Sequence, residues 1–267
     1  MERTYVITGA ASGIGAATSA LLKERGAKII GVDIHDTDIN ADLSTVAGRK
    51  GAADSAIKLS GGSIDAIIPC AGLMRSNLQT VSLNFFGVTE FLTELLPILK
   101  NSSAPRVAIP SSVASLLPNS PELVNAMLVG DEEGALTIAQ ELIDKGPEVA
   151  GLIYASTKRA ISRWVRRECI KPAWAGAGIS LNAVGPGIVE TPMVGKMLAT
   201  AESQAAVDTM IPMPLNYHLQ ARQVAYLLAW LTSEENTHAT GQTIYIDGGS
   251  DASIRGENIF GNAFIEP

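Results

Sequence analysis

Short runs rich in β-branched and apolar residues alternate with longer stretches of helical periodicity, and this alternation restricts the fold more than any other feature of the chain. The runs TYVIT (4–8), KIIGVDI (28–34), IDAIIPC (64–70), RVAIP (106–110), GISLNAV (178–184) and QTIYIDG (242–248) read as strands. Several are apolar at successive positions, as strands covered on both faces are. Helical patterns at 13–25, 46–59, 78–99, 150–171 and 221–232 fall between them. The pattern predicts an α/β fold: a doubly wound parallel sheet with helices on both faces.

Two segments break the alternation. Residues 118–148 mix helical and turn-like patterns around an acidic centre, and residues 187–216 carry Met193, Met197, Met210 and Met213 with Pro192, Pro212 and Pro214. Excursions this long usually serve as lids or binding loops. No linker, repeat, charge block or low-complexity tract marks a seam. The 267 residues therefore read as one domain, with an insertion at about 118–148 and a substrate lid at about 187–216.

Twenty basic and 27 acidic residues give a net charge of −7 without a long basic stripe, which argues against a nucleic-acid partner. Two cysteines, Cys70 and Cys169, and three dispersed histidines support neither a disulfide framework nor a metal site. Met1 runs almost directly into TYVITGAASGIG without a basic then apolar leader. No apolar run in the sequence approaches the roughly 20 residues that cross a bilayer. The expectation is a cytoplasmic protein with no membrane partner.

TGAASGIG (8–15) lies between the first strand and the first helix. In that setting Gly9, Gly13 and Gly15 supply a tight turn, close backbone approach to a pyrophosphate and close helix packing, with Ser12 and Ile14 between them at the helix N-terminus. The spacing is GxxxGxG. The second strand ends at Asp33, about 20 residues further on, where a carboxylate can accept hydrogen bonds from an adenosine ribose and repel a 2′-phosphate. Neither Ser12 nor Ile34 is a basic residue that would offset it, so NAD is expected over NADP. In ADLS, Asp42 with Leu43 either borders the adenine ring or caps the helix that follows.

Far downstream, YASTK places Tyr154 four residues before Lys158 on one helix. Positions i and i+4 share a helix face, so the Lys158 ammonium is expected near the Tyr154 phenol, favouring its ionised form. That pairing makes a usable acid/base.

With the glycine loop first and YxxxK downstream, the chain resembles the short-chain dehydrogenase/reductase family. Further motifs match in order: CAG (70–72), SLNFFG with Asn84, AIPSS ending at Ser112, NAVGPGIVETPM (182–193) and GQTIYIDGG (241–249). Within the family, GIGAAT, GVDIHDTDINADLS and SSVAS followed by a long insertion resemble the bacterial 3α-hydroxysteroid dehydrogenase/carbonyl reductase group. The chain departs from the family at Pro69 and Cys70, which replace an asparagine pair. It also departs in the long separation of Ser112 from Tyr154, which bears on the packing of a homodimer or homotetramer.

The resemblance implies a single-domain Rossmann fold and hydride transfer between NAD and a secondary alcohol or ketone. Tyr154 would be the proton donor or acceptor, with Lys158 assisting it and holding the nicotinamide ribose. Ser112 would hydrogen-bond the substrate oxygen, with Ser111 its rival, and Asn84 would hold a water that links Lys158 to solvent, or simply satisfy a bulged backbone. Cys70, Ala71 and Gly72 would border the cofactor. The Ile188 backbone and Thr191 would orient the carboxamide on a loop shaped by Pro186 and Gly187, although Thr191 also suits a helix N-cap before Pro192. Leu73, Val113, Leu116, Ile153, Met193 and Met197 are the expected substrate walls. So apolar a set suits a lipophilic alicyclic alcohol or ketone, with a 3-hydroxy- or 3-ketosteroid as first candidate and a terpenoid or aromatic ketone as second.

Overall fold

A computed structural model describes residues 2–195, 197–257 and 259. Six strands build the sheet in sequence: β1 (Thr4–Thr8), β2 (Lys28–Asp33), β3 (Ile39–Asn40), β4 (Ala66–Pro69), β5 (Arg106–Pro110) and β6 (Ser180–Pro186). After the short pair β7 (Val189–Glu190) and β8 (Leu219–Gln220), β9 (Thr243–Ile246) completes it. The order is β3-β2-β1-β4-β5-β6-β9, every pairing parallel. The chain steps outward from β1 and then returns to β4 on its other side. The C-terminal ends of β1 and β4 therefore flank a crevice at the point where the winding reverses.

Strand periodicity divides the core in two. Val6, Ile67, Val107 and Ile109 point to one apolar cluster, whereas Ile7, Ile68 and Ala108 point to the other. On the second face lie α1 (Gly13–Glu24) and α10 (Ala221–Leu231). The first face carries α2 (Val46–Ser60), a helical run from Leu78 to Leu99, and α8 (Leu152–Glu168). That run comprises α3 (Leu78–Val81), a π-helical turn (Ser82–Phe86) and α4 (Gly87–Leu99). Against expectation, its 22 residues are long and apolar enough by composition to cross a membrane. Its apolarity has a local cause, since 61% of its most apolar stretch is buried inside the fold.

The excursion 118–148 is helical. It forms α5 (Pro121–Val129), α6 (Glu132–Asp144) and α7 (Pro147–Ala150). Ser120 caps α5 through the Leu123 N–H and Asp131 caps α6 through the Gly134 N–H. Leu123, Val124 and Met127 join the core beneath α8. The excursion 187–216 holds the pairing strand β7, a series of turns and α9 (Ala201–Met210), started by a reciprocal Thr200–Ser203 cap. Val207, Ile211 and Met213 pack there on Val113 and Ile188 in a small apolar cluster of their own. A terminal turn of helix, α11 (Ser250–Arg255), follows β9.

Candidate active site

The crevice is a cleft of about 340 Å3 whose walls include the glycine loop, Asp33, Asp42, Leu43 and Cys70 to Leu73, and which ends at Thr191 to Met193. Glycine is required at its base by contact. Gly9 has φ 66°, and a Cβ there would lie 2.7 Å from the Ala71 nitrogen; a Cβ on Gly15 would lie 2.1 Å from the Gly9 carbonyl oxygen. Ser12 begins α1 without a side-chain cap, and Gly13, Ile14 and Gly15 of the first turn line the cleft. Asp33 closes the arrangement, accepting from the Ala11 N–H (3.0 Å) and the Ile34 N–H (2.7 Å). A backbone cradle at a helix N-terminus with a carboxylate at its far side fits a dinucleotide's pyrophosphate and ribose.

Details depart from the sequence expectations. Asp42 does not cap α2; it accepts from the Ser44 N–H and hydroxyl, while Thr45 caps the helix through the Gly48 N–H. Thr191 starts a turn rather than a helix, its hydroxyl donating to the Val189 carbonyl at 3.3 Å. The bracing lost with the family's asparagine pair is supplied by Thr8: its carbonyl accepts from the Cys70 N–H and its hydroxyl accepts from the Ala71 N–H, at 3.1 and 3.0 Å. Arg75, Gln79 and Leu83 also line the cleft, and sequence reasoning missed all three. Arg75 follows the CAG motif by three residues, which was the one available signal.

Ser112, Tyr154, Lys158, Pro186, Gly187 and Ile188 do not line the open cleft. Ser112 caps a 3-10 turn (Val113–Leu116), its Oγ accepting from the Ala114 N–H at 3.1 Å, so its own proton remains to be donated elsewhere. Ser111 is spoken for: its Oγ bonds the Lys158 carbonyl (3.0 Å) and the Ser162 hydroxyl (2.9 Å). The Ile188 N–H donates to the Met213 sulfur (3.4 Å), and Gly187, beside Pro186, lets Met213 approach, since a Cβ there would lie 3.0 Å from its sulfur. Ile153 is buried in the main core, and Val113, Leu116 and Met197 pack in the cluster around Met213. Of the expected substrate walls, Leu73 and Met193 line the open cleft.

Burial governs the electrostatics. It pushes the Tyr154 phenol above its ordinary value, and the neighbouring Ser112 hydroxyl pulls it only part of the way back. Lys158, 9% exposed, donates from Nζ to the Pro110 carbonyl at 3.0 Å, with its ammonium 5.7 Å from the Tyr154 ring centre. Burial lowers it from 10.5 to about 8. The expected lowering of Tyr154 by Lys158 is not found: loss of water raises the phenol, and the opposing pull comes from Ser112. Cys70, pushed by burial up to about 12, is a thiol. Asn84 sits in the π-helical turn, and both its amide protons are used, on the Leu73 carbonyl (2.8 Å) and Thr157 Oγ1 (3.2 Å), while its Oδ1 accepts from the Leu73 N–H (2.8 Å). The side chain therefore satisfies backbone and fixes the cleft wall at Leu73.

Comparison with known proteins agrees with this construction. Residues 3–126 match the family described as short chain dehydrogenase, and residues 132–251 match that described as enoyl-(acyl carrier protein) reductase. A 3-alpha-hydroxysteroid dehydrogenase/carbonyl reductase of Comamonas testosteroni is 37% identical over 94% of this chain and 97% of its own. The crystal structure of a 3-alpha-hydroxysteroid dehydrogenase from Pseudomonas sp. B-0831 complexed with NADH superposes with a TM-score of 0.87 at 36% identity, covering 95% of this chain and 99% of the other. A cis-4-hydroxycyclohexanecarboxylate dehydrogenase of Sinomonas cyclohexanicum is 26% identical over 94% and 97% of the two chains. The chain belongs to the short-chain dehydrogenase/reductase family and is an oxidoreductase of that family.

Proposed function

We propose that this protein is an NAD-dependent dehydrogenase interconverting a secondary alcohol and a ketone on a lipophilic alicyclic substrate, with a 3α-hydroxysteroid or 3-ketosteroid as first candidate and a terpenoid or aromatic alcohol as second. The observation that carries the reading is the gathering of Ser112, Tyr154 and Lys158, with Lys158 near Cys70 in the wall of a cleft built like a dinucleotide site. A bound nicotinamide supplies the hydride acceptor or donor and, when oxidised, a positive charge. Tyr154 holds the proton at its phenolic oxygen, kept there by burial until a cation comes near. Ser112, whose hydroxyl faces Tyr154, donates its proton to the substrate oxygen, a contact worth several kcal/mol at comparable sites. Lys158, once its Nζ turns from Pro110 to the cofactor ribose, brings its charge to bear on Tyr154. Asp33 selects NAD by repelling a 2′-phosphate.

The apolar cluster of Val113, Ile188, Val207, Ile211 and Met213 supports a lid over 187–216 and an apolar substrate body. The same reading covers a homodimer or homotetramer in the cytoplasm, acting on small molecules and not on nucleic acid or membrane. Purified protein mixed with NAD+ or NADP+ and a panel of steroids, monocyclic alcohols, sugars and hydroxy acids, followed by the absorbance of reduced nicotinamide, tests it. The expected result is the highest kcat/KM with NAD+ and a lipophilic alcohol. A preference for a charged, polar substrate would overturn the substrate assignment.

A further inference from the structure

Arg49 takes no part in the chemistry above, yet at 1% exposure it is among the most deeply buried large side chains. It stands in the first turn of α2. Its guanidinium forks onto Glu132 at the start of α6, Nη1 to Oε2 at 2.8 Å and Nη2 to Oε1 at 2.7 Å. Nη1 also reaches Glu90 of α4 at 2.8 Å. The remaining bonds go to main-chain carbonyls: Nε to Leu43 (3.0 Å), and Nη2 to Ser44 (3.1 Å) and Ser82 (3.4 Å).

Those carbonyls tie Arg49 to the walls of the cleft, which it does not itself line. Leu43 is a wall of its outer half, and Ser82 opens the π-helical turn whose Asn84 fixes Leu73, another wall. Glu132 lines no part of it. Burial works against both charges, and their mutual hydrogen bonds overcome it, raising Arg49 and lowering Glu132, so the pair stays ionised. A well-packed apolar side chain could fill the same space without that desolvation. It could not hold three carbonyls from two segments in fixed positions.

We propose that Arg49, clamped by Glu132 and Glu90, is a positioning residue for the adenine end of the cleft, so that the 118–148 excursion shapes cofactor binding without touching the cofactor. This rests on the dinucleotide reading of the cleft.

The test is Glu132→Gln, which removes the fork yet leaves Arg49 paired with Glu90. ADP-ribose binding, measured by calorimetry, should weaken about tenfold, in keeping with loss of a charged hydrogen bond. KM for NAD should rise by a similar factor, with kcat at saturating NAD and KM for the alcohol unchanged. Leu142→Ala, which destabilises α6 from its buried face without touching Arg49, should leave ADP-ribose affinity unaltered. Unchanged ADP-ribose affinity in Glu132→Gln, or an equal loss in Leu142→Ala, overturns the positioning role. An intact wild-type chain that binds neither ADP-ribose nor NAD overturns the dinucleotide reading and this inference with it.

Discussion

The two halves of the site are built on opposite principles. The outer half, from Gly9 to Leu43, is an open cleft made largely of main chain, where glycines let one backbone segment touch another. Around Ser112, Tyr154 and Lys158 the inner half is built of side chains, with Ser112 and Tyr154 half-buried and Lys158 buried, and several of its polar groups are engaged within the protein: Lys158 with Pro110, Ile188 with Met213. A main-chain cradle is preorganised, because its donors are held by the sheet and by α1. Desolvation acts instead against both ionisable side chains, raising the half-buried Tyr154 phenol and lowering the buried Lys158 ammonium to about 8, so the phenol resists the ionisation that base chemistry needs. The outer half is therefore suited to bind before the inner half is suited to react.

Substitutions on either side sharpen this contrast. Tyr154→Phe should have the largest effect, lowering kcat by about 10²- to 10⁴-fold as expected for loss of a general acid/base, while NAD affinity measured by fluorescence titration stays close to wild type. Near-normal turnover would break the assignment of chemistry to the inner half. On the outer half, Asp33→Ala should raise KM for NAD roughly tenfold and narrow the NAD-over-NADP preference, read as the ratio of the two kcat/KM values. Equal use of both cofactors by the wild type would show that Asp33 does not select.

The smallest expected effect is on stability. Lys158 falls from 10.5 to about 8 in the fold, a difference worth roughly 3 kcal/mol. Below about pH 8 the buried ammonium carries its full penalty. Between about 8 and 10.5 the unfolded chain still holds a proton that the folded chain has released, so stability rises with pH across that window. Lys158→Met removes the penalty and forfeits the Pro110 hydrogen bond, worth about 1 kcal/mol. At pH 7 the inactive variant should melt a few degrees higher than wild type in the absence of cofactor, and its rise in stability between pH 8 and 10.5 should vanish. A lower Tm at pH 7 would mean that Lys158 is solvated rather than strained.

The outer half was largely legible in the sequence, since a glycine loop between strand and helix and an acid at the next strand end are local patterns with local causes. The YxxxK pairing was legible for the same reason, because helical spacing alone puts Tyr154 above Lys158. Other features come from segments far apart in the chain. Asn84 is consumed by Leu73 and Thr157, Ser111 is turned onto α8, and Met213 reaches the Ile188 amide. Nothing near Arg49 in the sequence marks it out; its partner Glu132 lies 83 positions away.

Periodicity and turn chemistry depend on neighbours within a few residues, so the sequence by itself determined the strand and helix sites, the glycine cradle and the identity of the polar groups that converge. Charge state and hydrogen-bond partner depend on what excludes water from each group. That was decided only when the 118–148 and 187–216 excursions packed onto the sheet, burying Arg49 under one and closing an apolar cluster over Val113 and Ile188 with the other.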